Sequence, residues 1–130
     1  QIDLVKLWVK KADNDLINAE NAIKIIPAPP LDTVCFHTQQ CAEKYLKAFL
    51  TYHNLHFEKI HNLTELIRLA CTVVPEFQQL FELSEKLEPY AVEIRYPDVL
   101  EEEPTLANAQ EAIKIAKTIK QFILNKIQFD

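Results

Sequence analysis

Apolar residues return every three or four positions along nearly all of this 130-residue sequence, and no stretch keeps the two-residue alternation of a half-buried strand. That regularity restricts the chain to helices packed on helices: an all-α, antiparallel, up-and-down helical bundle of four to five helices. Trp8, Ala12, Leu16, Ala19, Ile23 and Ile26 share one face and predict a first helix from about Ile2 to Ile26. Pro27, Pro29 and Pro30 must end it, because each removes a backbone donor and restricts the residue before it. Asp32 is the expected N-cap of a second helix reaching about Tyr52. Its stripe of Val34, Cys41, Tyr45, Ala48 and Tyr52 is widened by Cys35, Ala42, Leu46 and Phe49. So broad an apolar surface marks a central helix.

The period breaks over Asn54 to His61, which reads as a loop, and resumes after Asn62 and Glu65, spaced as a variant of the capping box. The third helix should bury Leu63, Leu66, Ile67, Ala70 and Val74. Pro75 suits the first turn of a fourth, with the stripe Phe77, Leu80, Phe81, Ser84, Leu87 and Ala91 and a kink or break at Pro89. From Arg95 to Pro104, two prolines and three consecutive glutamates predict an exposed connection. Thr105 then caps a last helix burying Ala109, Ala112, Ala116, Ile119, Ile123 and Ile127. A chain of this length fits one domain, here residues 1–130.

Charge and composition narrow the function classes. With 48% hydrophobic and 25% charged residues the sequence has the balance of a soluble globular protein, and no apolar run approaches the roughly 20 residues that span a bilayer. Asp3, Lys6, Lys10 and Lys11 charge the N-terminal helix, unlike a secretory signal, so a cytoplasmic location with no membrane partner is expected. A net charge of −5 argues against non-specific coating of nucleic acid, which depends on neutralising many phosphates. The absence of glycine excludes Gly-rich phosphate loops, so a phosphate would have to be held by side chains or helix ends. Cys35, Cys41 and Cys71 form no Cys-x-x-Cys pair and lie among apolar residues, as buried reduced thiols do.

Chemistry concentrates on the second helix. His37, Gln40, Lys44 and Lys47 are spaced three, four and three apart, which aligns them in one polar stripe. Such a stripe could meet a ligand, or it could be a solvated face on which Glu43 and Lys47 form an ordinary i,i+4 ion pair. His53 and His56, with His61 nearby, suggest a metal site but lack a third ligand at standard spacing. No metal and no cofactor are therefore expected. Lys6 and Lys10 on the first helix, like Lys114, Lys117 and Lys120 on the last, read as solvated faces.

The run Phe36-His37-Thr38-Gln39-Gln40-Cys41-Ala42-Glu43-Lys44-Tyr45-Leu46-Lys47-Ala48 resembles the signature helix of the HEPN family of helical, nucleotide-associated domains. His61-Asn62-Leu63-Thr64-Glu65-Leu66 is similar to that family's His-x-Leu-x-x-Leu helix start, and Arg95-Tyr96-Pro97-Asp98 to its Arg-Tyr-Pro-Asp motif. The region of Asp15 and Leu16 is also similar, so the resemblance spans nearly the whole chain in order. It implies a helix bundle, usually a homodimer, often produced beside a minimal nucleotidyltransferase protein in prokaryotic toxin–antitoxin-like modules. Many relatives are metal-independent ribonucleases whose signature is an Arg followed about four to six positions later by a His.

This sequence departs from that signature, since neither Arg95 nor Arg68 is followed by such a His. General acid–base cleavage of RNA needs a group titrating near neutrality, and here only His37 or His61 could supply one through folding. The expectation is recognition of a nucleotide or RNA end, not catalysis. Arg95 offers a planar fork for phosphate; His37, Gln40, Lys44, Lys47 and His61 complement anionic or base groups; Tyr96 offers a stacking surface; Asp98 completes the motif. Two alternatives stand beside it: a ribonuclease using a non-standard His, and a purely structural dimerisation or interaction module in which Arg95 and Asp98 tie their loop to Glu43 or Gln40.

Overall fold

The computed structural model describes residues 1–92 and 103–129. These residues form five α-helices: α1 (Ile2–Ala22), α2 (Leu31–Tyr52), α3 (Leu63–Cys71), α4 (Phe81–Leu87) and α5 (Leu106–Leu124). The all-α bundle expected from the hydrophobic period is thus the fold, with no strand among the described residues. Helix α2 is its axis, packing most extensively on α1 and then on α5 and α3. Every residue from Tyr45 to Thr51 is buried, Lys47 of the polar stripe included. Tyr45, Phe49 and Phe77 are the largest fully enclosed side chains. Phe49 lies 4.3 Å from Phe77 between ring centroids, and Phe77 meets Phe122 edge-on at 5.0 Å. This aromatic chain joins α2, the segment before α4, and α5.

The boundaries differ from the sequence expectation in ways that follow from local hydrogen bonding. Helix α1 ends at Ala22, four residues short of Ile26. Beyond it, Lys24 and Ile25 donate to Asn21 and Ala22, the i to i−3 pattern that tightens and closes a helix end. Ile26, placed on the buried stripe by spacing, is 88% exposed. Pro30, not Asp32, is the N-cap of α2: its carbonyl accepts the amide of Val34 at 3.0 Å. Asp32 lies inside the first turn, where its Oδ1 accepts the Thr33 amide at 2.8 Å and its charge complements the helix dipole.

Asn62 caps α3 by accepting the Glu65 amide at 3.1 Å, as the sequence pattern indicates. The fourth helix is subdivided. A 3-10 segment spans Pro75–Leu80, α4 follows, and a 3-10 turn occupies Glu88–Tyr90 around Pro89. Ala91, expected on its buried stripe, is exposed beyond that turn. Thr105 caps α5 with both bonds of a capping box, the Thr105 hydroxyl accepting from the Asn108 amide and the Asn108 side chain from the Thr105 amide, each at 3.0 Å. Pro104, expected in an exposed connection, is buried. Among the described residues no helix is long and apolar enough to cross a membrane.

Candidate functional site

Two enclosed carboxylates organise the polar side of α2. Asp15 falls between Ala12 and Ala19 on the buried face of α1, and Glu43 lies on α2 between Gln39 and Lys47. Each is less than a tenth exposed. A carboxylate so enclosed must find donors, and both do so among the residues of the polar stripe.

Asp15 divides its two oxygens between two of them. Oδ1 faces Nδ1 of His37 at 2.8 Å and Oδ2 accepts from Nζ of Lys44 at 2.6 Å. His37 and Lys44 keep only about a fifth and a quarter of their side chains exposed. Phe36 stands edge-on to the His37 ring at 5.4 Å. Helix α1 is tied to α2 a second time by the Tyr45 hydroxyl, which donates to Asp13, itself paired with Lys120 of α5 at 3.0 Å. Burial, reinforced by the bond to Asp13, holds the Tyr45 hydroxyl well above the ordinary phenol range.

One turn further along α2 is the second cluster. Lys47, 6% exposed, places Nζ 2.9 Å from Oε2 of Glu43 and 3.0 Å from Nδ1 of His61. The same Nδ1 is 3.1 Å from Oε2 of Glu43. Trp8 and Phe57 wall the ammonium, their ring centroids 5.6 and 5.8 Å from Nζ, a cation–π setting that supports a positive charge away from water. Buried Gln39 donates to Glu43 at 3.4 Å and accepts from Gln40 at 2.8 Å. His61 precedes the N-cap of α3, a helix start that Glu88 secures by accepting the amides of Leu63 and Thr64. Burial pushes the Glu88 carboxyl above its ordinary value, and nearby Glu43 adds to the effect against the two amide bonds.

Of the residues expected at a site, the fold therefore gathers His37 and Lys44 around Asp15, and Gln40, Lys47 and His61 around Glu43 and Gln39. Arg95, Tyr96 and Asp98 lie outside the described residues. The sequence reading placed Asp15 and Gln39 only within stretches that resemble the family and Trp8 only on an apolar stripe, gave none of the three a site role, and did not name Phe57. Asp15 and Gln39 carry a usable signal, a polar side chain in register with buried neighbours on both sides; the contributions of Trp8 and Phe57 arise only from packing. His53 and His56 do not join His61, and among the described residues no three His, Cys, Asp or Glu side chains converge as metal ligands do. His53 instead lies against Phe49 and Tyr52.

Comparison with known proteins agrees with this architecture. A protein of Methanocaldococcus jannaschii carrying the name "Putative toxin MJ1304" is 29% identical over 135 aligned positions, which cover 94% of this chain and 87% of the relative. The crystal structure of ST0689, an archaeal HEPN homologue, superposes with a TM-score of 0.75 at 28% identity, covering 95% of this chain and 98% of that one. The crystal structure of TT1696 from Thermus thermophilus gives a TM-score of 0.76 at 25% identity with the same coverage. The model of the HEPN domain matches residues 5–127, nearly the full length, and so this chain belongs to the HEPN domain family.

Proposed function

We propose that this HEPN protein recognises a nucleotide or an RNA end through the polar side of α2, acting as a homodimer with a separate minimal nucleotidyltransferase protein in a toxin–antitoxin-like module. The observation that carries the reading is the fixing of the α2 stripe. His37 and Lys44 are held by one carboxylate, and Gln40, Lys47 and His61 by a connected network, so the polar groups are ordered before any ligand arrives. Lys44 gives one of its three donors to Asp15, and among the described residues the others are open to an anion. His61 is mostly exposed. In this reading Arg95 grips phosphate, Tyr96 stacks on a base, and Asp98 orders their loop. The toxin name of the archaeal relative supports the assignment to a two-component module.

A calorimetric panel of nucleoside mono-, di- and triphosphates and short RNAs tests the proposal. Arg95→Ala is expected to weaken binding of the best ligand by at least about tenfold, as the loss of a charge-assisted hydrogen bond does, while shifting the melting temperature by only a few degrees. A large loss of stability with unchanged affinity, in Arg95→Ala and Lys44→Ala alike, would assign these residues a structural role instead. Because no His follows Arg95 at the ribonuclease spacing, RNA incubated with the protein should stay intact. Cleavage that survives a chelator but not His37→Ala or His61→Ala would replace recognition with catalysis. Light scattering should return about twice the monomer mass.

A further inference from the structure

The position of His61 determines what kind of atom it can present to a ligand. Its Nδ1 points inward between two groups of opposite character, Nζ of Lys47 at 3.0 Å and Oε2 of Glu43 at 3.1 Å. An ammonium only donates and a carboxylate only accepts. When the ring is neutral, one proton must be assigned. If it sits on Nδ1, it points toward Glu43 but also toward the Lys47 ammonium, leaving that cation one acceptor short inside a wall of Trp8 and Phe57. If it sits on Nε2, the Nδ1 lone pair accepts from Lys47, and Glu43 remains bonded to Lys47 at 2.9 Å and to Gln39 at 3.4 Å. The second assignment serves the enclosed ammonium, which has the fewest alternatives, while Glu43, which then faces the Nδ1 lone pair at 3.1 Å, keeps its bonds to Lys47 and Gln39. When the ring is protonated, Nδ1–H donates to Glu43 and Nε2 again carries its proton.

We infer that Lys47 fixes neutral His61 as the Nε2–H tautomer, so that its outward Nε2 is a hydrogen-bond donor in either charge state and the site takes its ligand there through an acceptor atom of the phosphate-oxygen class. The ring is 70% exposed, and among the described residues Nε2 has no protein partner. The ligand class rests on the nucleotide-recognition reading above; the tautomer does not. Lys47 and Glu43 are positioning residues, enclosed and acting through the imidazole. Because Nε2 offers no lone pair while Lys47 is in place, His61 is set up to recognise and not to abstract a proton.

Long-range nitrogen–proton correlation spectra of the imidazoles, recorded on the ligand-free protein about two pH units above the ordinary histidine value, read the tautomer directly. The expected result is Nε2–H for His61; an Nδ1–H pattern would overturn the inference. Lys47→Met should move the proton to Nδ1, where Glu43 accepts it, and an unchanged pattern would remove Lys47 from its role. If that variant does not fold, Glu43→Leu/Lys47→Met, which strands no charge, decides the same point: without the ammonium the imidazole should relax to a mixture of tautomers, and an unchanged pattern would remove Lys47 from its role. Titration with inorganic phosphate should then shift the His61 resonances of the wild-type protein, and His61→Ala should weaken phosphate binding by about fivefold, the usual scale of one hydrogen bond. Phosphate that leaves His61 unmoved overturns the acceptor assignment. A nucleotide that binds while His61 carries Nδ1–H would overturn the inference and leave the nucleotide-recognition reading standing.

Discussion

Lys47 and Glu43 pair at 2.9 Å one helical turn apart, with no more than a tenth of either side chain exposed. Spacing alone suggests an ordinary surface pair of this kind, worth about half a kcal/mol at most. Enclosure changes its energetics, because removing one partner of a buried pair strands the other charge, at a cost of about 3–5 kcal/mol. Lys47→Met is expected to lose stability on that scale in urea denaturation, and Glu43→Leu/Lys47→Met to lose clearly less than the sum of the two single changes. Additivity to within about 0.5 kcal/mol would mean the charges do not depend on one another.

Glu88 gives the fold a pH dependence of predictable sign. Burial raises its carboxyl above the ordinary 4.5, with Glu43 as the further raising influence. A group whose folded value is raised contributes stability that is fully present below its unfolded value and is lost as pH rises through the folded one. Glu88→Gln keeps an oxygen for the Leu63 amide and removes the titration. Its stability relative to wild type should therefore improve between about pH 4 and pH 7, as measured by thermal melts across that range. A stability difference that stays flat, or reverses, would show that the two amide bonds outweigh burial.

The three cysteines should separate cleanly on alkylation. Cys35 and Cys41 are fully enclosed, and burial, with Asp15 and Asp13 adding to it, drives the Cys41 thiol far above its ordinary range. Cys71, at the end of α3, is only partly covered, though burial raises its thiol as well. Mass spectrometry after iodoacetamide treatment of the native protein should find label on Cys71 alone, added more slowly than to a free thiol. Native-state labelling of Cys41 at a comparable rate would contradict the packing around Asp15.

Loss of the Thr105 cap should cost about 1 kcal/mol, the usual value for replacing such a residue with alanine. Thr105→Ala removes the acceptor for the Asn108 amide at the entrance to α5. A melting temperature equal to that of wild type would indicate that α5 is held entirely by its buried face.

Helix type and number were legible because the apolar period is strong: Ala109, Ala112, Ala116, Ile119, Ile123 and Ile127 are all buried as their spacing requires. Boundaries were less so. Pro30 and Asp32 both suit the start of α2, and the choice turned on whether a carbonyl or a side chain met the first free amides. The polar stripe of α2 was visible as a line of residues, but not its partners. Asp15 reaches Lys44 across 29 positions and His61 reaches Glu43 across 18, distances that a helical period does not encode. The placement of Arg95, Tyr96 and Asp98 falls outside the described residues, so their part in the site rests on sequence resemblance.

Trp8 is the chain's single tryptophan, and it stands 5.6 Å from the Lys47 ammonium and 6.0 Å from Phe57. All indole emission from this protein therefore originates beside one cation, close to the exposed imidazole that this cation steadies. Displacing that cation, or drawing charge toward His61, alters the field on the excited indole. The protein thus carries its own optical reporter, and the proposed occupancy of the α2 face would be followed by fluorescence with no label attached.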